Sequence, residues 1–230
     1  MKDVAIPSYR EGLRELQENL STMMPTEALD VFGADAEALQ AKHRSVLKLV
    51  EGDKAPDFTL SNAVNESVNL YEMLKTSRVV LTFYRGSWCP YCNLALRQYQ
   101  SIVPDIKALG GTLIAISPQT PDESLNIQEK NDLEFEVLSD NSNIIAKQFT
   151  TVHPNPEQSK VAMTQLGGDY DSYYSDEDSE IPVPATFIIE RDGTISFART
   201  EGGDYRHRVE PSKILTALRD NQTTFTTPKF

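Results

Sequence analysis

The chain is poor in the residues that staple, chelate or bind polyanions. Two of its 230 residues are cysteine, and both fall in one short segment. That excludes a disulfide-stapled scaffold, whose cysteines are spread along the chain. The three histidines, His43, His153 and His207, stand far apart in sequence. Lysine and arginine total 22 against 34 aspartates and glutamates, a formal net charge of −12, with no basic cluster. Nucleic acid and anionic membrane surfaces are therefore not expected partners. No apolar run approaches the ~20 residues of a membrane span. Residues 1–20 lack the apolar core of a signal peptide. A cytoplasmic location is the expectation, and there a lone cysteine pair reads as catalytic before structural. Internal repeats and low-complexity tracts are absent too.

What is present is concentrated in Val79-Val80-Leu81-Thr82-Phe83-Tyr84-Arg85-Gly86-Ser87-Trp88-Cys89-Pro90-Tyr91-Cys92. The β-branched and aromatic run at its start predicts a strand buried on both faces. Gly86-Ser87 breaks that run. Leu94, Leu96, Tyr99, Ile102, Val103, Ile106 and Leu109 then repeat at helical spacing. Cys89 and Cys92, one helical turn apart, lie within about 5–6 Å of each other, a separation a disulfide accepts. Cys89 falls where unpaired N–H groups and the helix dipole favour a thiolate, and Pro90 suits the first turn. A redox dithiol is the leading reading of the pair. A zinc half-site would need two more soft ligands, which the scattered histidines offer only if the fold gathers them. Two inert thiols are the third reading.

Around this segment the pattern is α/β. Residues 8–50 read as a helical extension with Leu13, Leu16, Leu20 and Met23 or Met24 on one face, punctuated by Pro25 and Gly33, and a second helix over 34–50. It is expected to pack on the main domain without supplying catalytic groups, or to act as a homodimerisation arm. Short strands are expected at 58–61, 67–70, 78–84, 112–117 and 136–138, with helices at 71–75, 89–109, 122–131 and 143–150. Their alternation implies parallel pairing in a mixed sheet. Residues 157–166 read as helix, and the acidic, tyrosine-bearing 169–180 as a solvated loop. Two strands at 184–190 and 194–199 flank an Asp-Gly turn, a hairpin signal. A last helix covers 211–219. The domain division is 1–50, 51–220 and a polar tail 221–230.

Phe83-Tyr84-Arg85-Gly86-Ser87-Trp88-Cys89-Pro90-Tyr91-Cys92 resembles the active-site segment of the thioredoxin-fold superfamily. It is most similar to peroxiredoxin-like proteins of the alkyl hydroperoxide reductase/thiol-specific antioxidant (AhpC/TSA) family that carry Cys-x-x-Cys. Gly52-Asp53-Lys54-Ala55-Pro56-Asp57-Phe58-Thr59-Leu60 resembles the opening segment of that family, and Val183-Pro184-Ala185-Thr186-Phe187-Ile188-Ile189 its later strand. The resemblance spans roughly residues 50–220 and implies an α/β, thioredoxin-like fold. It departs from the family in two places. Gly86 stands where the Pro-x-x-x-Thr-x-x-Cys pattern has threonine, and the later-strand arginine falls at or near Pro184. Both groups help bind peroxide in the family.

The resemblance implies a thiol-dependent peroxidase. Cys89, expected to have the lower pKa, attacks the peroxide and becomes a sulfenic acid, and Cys92 resolves it to a local disulfide. A dithiol donor such as thioredoxin or glutaredoxin then restores the thiols. No metal or organic cofactor is required. Arg85 is expected either to hold the thiolate and peroxide or to point to solvent. Ser87, Trp88 and Pro184 are the substrate-facing candidates, with Trp88 an exposed docking face and Pro184 in the cis form opposite the dithiol. A thiol–disulfide oxidoreductase acting on protein or glutathione disulfides is the nearest alternative. A non-enzymatic redox-sensing interaction protein is the other.

Overall fold

The computed structural model describes residues 5–44, 46–174 and 179–224. Its centre is a seven-stranded mixed sheet ordered β2-β1-β5-β4-β3-β8-β9. The strands are β1 (Thr59–Asn62), β2 (Ser67–Asn69), β3 (Arg78–Phe83), β4 (Gly111–Ser117), β5 (Glu136–Ser139), β8 (Ala185–Ile189) and β9 (Ile195–Arg199). β3, β4 and β5 run parallel, while β8 lies antiparallel to β3 and β9 antiparallel to β8. A separate two-stranded sheet joins β6 (Val152–Pro154) to β7 (Glu180–Pro182).

β3 is buried along its whole length and shows the two faces of the sheet by alternation. Val80 joins one apolar cluster, while Val79, Leu81 and Phe83 join the other. On the first face lie α1 (Tyr9–Met23), α4 (Pro90–Ser101), α5 (Val103–Ala108) and α9 (Pro211–Thr224). On the second lie α3 (Leu70–Leu74) and α7 (Ala146–Phe149). α6 (Pro121–Lys130) follows β4, and α8 (Glu157–Gln165) packs against α2 (Thr26–Lys42).

The extension is tied to the main domain at both helices. Tyr9 and Leu13 of α1 enter the core cluster. Glu210 accepts hydrogen bonds from the Tyr9 and Arg10 backbone N–H groups at 2.7 and 3.0 Å, placing a carboxylate on the positive end of α1.

Several expected elements are corrected. α2 begins at Thr26 and ends at Lys42, so Gly33 lies inside a helix and the stretch 46–50 is not helical. The helix after the cysteines divides at Ile102, because Pro104 cannot continue the hydrogen-bond ladder. The segment 169–180 is not simply solvated: Tyr170 and Tyr174 are buried. Residues 175–178 of that segment, and 225–230 of the tail, lie outside the described residues. Among the described residues no helix is long and apolar enough to cross a membrane.

Candidate active site

The chain leaves the sheet after the Tyr84 N–H donates to Ile116 O at 3.0 Å. Gly86 follows because any Cβ there would overlap the Trp88 indole. Ser87 is held from three sides: its N–H donates to Gln119 Oε1 at 2.6 Å, Gln119 Nε2 donates to its Oγ at 3.0 Å, and that Oγ donates to Glu123 Oε2 at 3.1 Å. Asn93 Nδ2 donates to Ser87 O and Cys89 O at 2.7 and 2.9 Å. The loop is thereby fixed, and Cys89 becomes the N-cap of α4 with Pro90 in the first turn.

Both cysteines are free thiols and both are buried. Their charge does not distribute as the helix dipole alone would dictate. Burial, then the hydrogen bond to Cys92 and its negative charge, push the Cys89 thiol well up. Burial also acts on Cys92, but it is outweighed by the hydrogen bond from Cys89, the Arg208 cation and a backbone hydrogen bond from Arg85. Cys92 is therefore drawn well below the usual thiol range. Arg208 Nη2 donates to Cys92 Sγ at 3.0 Å. Arg208 Nη1 is held by the carbonyls of Tyr205 and His207. The expectation that Cys89 has the lower pKa is not met in the reduced pair: the Arg208 cation stands on Cys92, whose thiol is drawn down, while burial pushes that of Cys89 up.

Arg85 is buried and does not point to solvent. Its guanidinium stacks 3.8 Å from the Tyr205 ring and 4.9 Å from that of Trp88. Its Nη2 donates to Asn155 Oδ1 at 2.8 Å. Trp88 is half-buried: its Nε1 donates to Tyr174 Oη at 2.8 Å, and its ring meets Tyr170 edge to face at 5.3 Å. An exposed docking face is therefore the wrong description of Trp88, because the acidic segment folds its tyrosines over it.

Cys89, Arg85 and Trp88 line a cavity of about 540 Å³ together with Asn155, Tyr205 and residues of α1 and α2. Cys92, Ser87 and Pro184 do not line it. Cys89 is thus the sulfur a substrate in the cavity would meet, and Cys92 lies behind it. The extension, expected to pack on the main domain without supplying catalytic groups, contributes residues of α1 and α2 to the cavity wall. Pro184 is also corrected: there is no cis peptide bond among the described residues. The Val183 N–H donates to Thr151 O at 2.8 Å and its carbonyl accepts from Thr150 Oγ1 at 3.0 Å. The chain therefore runs extended from β7 into β8, where a trans bond fits.

Arg208, Asn155 and Tyr205 were not legible as site residues. Arg208 and Tyr205 sit in an irregular stretch between β9 and α9, with no periodicity to mark them. His43 and His153, distant in sequence, stack at 5.3 Å. Among the described residues no group of three or more His, Cys, Asp or Glu is placed to hold a metal.

A thioredoxin-like sheet carries a reduced Cys-x-x-Cys at a strand-to-helix junction, the setting a redox dithiol requires. Residues 51–198, more than half of the chain, match the AhpC/TSA family model. The chain belongs to the AhpC/TSA family. Peroxiredoxin Bcp of Escherichia coli is 31% identical over 101 residues, 44% of this chain and 64% of that one. A Buchnera aphidicola protein that carries a peroxiredoxin name is 32% identical over 101 residues, 44% of this chain and 63% of its own length. Both matches span just under two thirds of those relatives. Peroxidoxin BcpB of Mycobacterium tuberculosis shares the fold, with a TM-score of 0.58 at 19% identity over 75% of this chain and 97% of that structure.

Proposed function

We propose that the protein is a thiol-dependent peroxidase in which Cys89 meets the peroxide and Cys92 resolves it. The observation that carries this reading is the placement of Cys89 on the wall of a cavity whose polar lining includes the buried Arg85. Family membership supports the same chemistry.

The charge distribution sets the order of steps. Cys89 passes its proton along the thiol–thiol hydrogen bond to Cys92 and attacks the nearer peroxide oxygen as a thiolate. The O–O bond breaks, Cys89 becomes a sulfenic acid, and the alkoxide or hydroxide takes the proton back from Cys92. Cys92, again a thiolate beside Arg208, attacks the Cys89 sulfur. The S–S bond forms, hydroxide leaves, and solvent protonates it. A dithiol donor of the thioredoxin or glutaredoxin kind returns two electrons by exchange. A cytoplasmic setting, where such donors keep thiols reduced, suits a chain with no cysteine beyond this pair.

The alternative of a disulfide oxidoreductase acting on proteins is less well supported. Cys89 is 1% exposed, and a protein disulfide would have to reach it through the cavity. The test is rapid mixing of reduced protein with one equivalent of hydroperoxide, read by intact mass with a sulfenic-acid trap present. Formation of the trapped adduct and then an internal disulfide is the expected result. Unaltered thiols, together with reduction of a model protein disulfide, would replace the peroxidase reading.

A further inference from the structure

We propose that Tyr9 of the helical extension and Tyr99 of the active-site helix are positioning residues that hold Arg208 against the Cys92 sulfur. Neither is placed to touch the reacting atoms, and their part in the resolving step rests on the peroxidase reading. Three observations carry the inference.

The first is where Arg208 stands in the chain. It lies between β9 and α9, in a stretch, 200–210, that forms neither helix nor strand. No ladder of backbone hydrogen bonds therefore fixes this strap. Yet Arg208 is buried, and its Nη2 donates to one buried sulfur at 3.0 Å. An arginine side chain has much rotamer freedom to lose. The placement of the cation thus depends on what anchors the backbone that carries it.

The second is the pair of anchors. Tyr9 Oη donates to Arg206 O and Tyr99 Oη donates to Val209 O, each at 2.7 Å. These carbonyls stand two residues before Arg208 and one residue after it. Both tyrosines are buried in the same apolar cluster as Cys92 and Val209. Tyr99 follows Cys92 by two helical turns, on the same face of α4. It ties the strap to the helix that bears the dithiol. Tyr9 ties the strap to α1, whose first N–H groups also donate to the Glu210 carboxylate. The start of α1 is thus joined to the strap on both sides of Arg208.

The third is the chemistry of the donors. Burial pushes both tyrosine hydroxyls well up, so each stays a donor while a thiol titrates. A phenylalanine would fill the same apolar space at either position. What the hydroxyl adds is a fixed partner for a carbonyl beside Arg208. The titratable groups facing Cys92 are Cys89, Arg208 and Arg85. Of these, Arg208 is the one whose backbone the two hydroxyls hold.

The experiment uses the full chain in a Cys89→Ser background, where Cys92 is the only thiol. Thiolate absorbance is followed against pH. Tyr9→Phe and Tyr99→Phe are each expected to move the midpoint up, lowering the ratio of thiolate to thiol at a given pH about threefold, or half a pH unit. Neither should move it further when Arg208→Met is also present, because the cation they position is then gone. With both cysteines in place, the same variants should slow conversion of sulfenic acid to disulfide by a similar factor at pH values below the midpoint, read by intact mass. Tyrosines that only filled the core would leave the midpoint where it was. Circular dichroism checks that each variant folds, and if one does not, the other decides. A midpoint unmoved in the folded variants, or a shift that persists in full with Arg208→Met, overturns the positioning role. Thiols that survive hydroperoxide while the midpoint moves as expected would sink the peroxidase reading and leave the positioning of Arg208 standing.

Discussion

The Arg208 guanidinium lies 3.0 Å from the Cys92 sulfur, and both side chains are buried. This pairing puts the cation on the inner cysteine, away from the one that lines the cavity. In the proposed mechanism Arg208 then holds the resolving thiolate in readiness. Arg208→Met should raise the Cys92 pKa, and each unit of that rise corresponds to about a tenfold shift in its ionisation. At neutral pH the sulfenic acid should form and persist, with conversion to disulfide slowed about tenfold or more. Arg208→Lys should recover part of the rate, as a point charge without the guanidinium fork. Thiolate absorbance and time-resolved intact mass measure the two effects. Disulfide formation at the wild-type rate in Arg208→Met would remove Arg208 from the mechanism.

The cysteine variants separate access from charge. Cys89→Ser should abolish peroxide reduction, because the remaining thiolate lies behind the cavity wall. Cys92→Ser should consume a single equivalent of peroxide and stall as a sulfenic acid or as a mixed disulfide with an added thiol. It should also react more slowly in that first step, since the partner that accepts the Cys89 proton is gone. Mass spectrometry with a sulfenic-acid trap reads both. A trapped adduct on Cys89→Ser but not on Cys92→Ser would exchange the roles.

The sheet and the dithiol were legible in the sequence because local patterns specify them. The run 78–83 is apolar on both faces, and Cys89-Pro90-Tyr91-Cys92 combines an N-cap site with a first-turn proline. The neighbours of the dithiol were less visible. Arg208 reaches Cys92 across 116 residues of chain, and no spacing rule announces a contact of that range. Pro184 misled for a related reason. Its similarity to a cis-proline segment says nothing of the hydrogen bonds at Thr150 and Thr151 that keep the backbone extended. Gly33 reads as a breaker because isolated glycines often are, whereas here the packing of α2 against α8 overrides its weak propensity. The tyrosines of 169–180 sit in an acidic sequence without period, so their burial against Trp88 arises only from tertiary contact.

Trp88 is the only tryptophan in the chain and touches the site on two sides, through Arg85 and Tyr174. Its fluorescence should therefore change when the dithiol is oxidised and return on reduction. The change should vanish in Cys89→Ser. Tyr174→Phe, which removes the hydrogen bond to the indole, should shift the emission while costing about 1 kcal/mol of stability. Emission spectra of reduced and oxidised protein check this, and identical spectra would show that oxidation leaves the Trp88 surroundings unaltered.

The extension should be part of the cooperative fold. Leu13 is buried in the same cluster as Tyr99 and Leu96 of the active-site helix. Leu13→Ala removes apolar contact there and leaves a void, which typically costs about 2–5 kcal/mol. Urea unfolding followed by circular dichroism and by Trp88 fluorescence should show one shared transition, moved to lower denaturant. A transition unchanged in midpoint would mean that α1 contributes nothing to global stability.

Acid should weaken the fold through His153. Burial is the main cause that lowers its pKa to about 4, helped by the positive charges of Arg85, His43 and Lys42 and opposed by the hydrogen bond with Pro154 O. The unfolded chain regains the ordinary value near 6.5. Between these values the unfolded state binds the proton and the folded state does not, so stability falls as pH falls. The loss begins as pH drops through about 6.5 and is mostly complete near 4, and on the order of 3 kcal/mol is at stake. His43, stacked on His153, is shifted down by its own burial and adds in the same direction. His153→Gln keeps a donor for the Pro154 carbonyl but cannot titrate. Its stability should start somewhat below that of wild type at neutral pH and decline less on acidification, so the two curves converge or cross. Denaturant unfolding at a series of pH values gives both curves. Parallel curves would mean that the acid sensitivity lies with other groups.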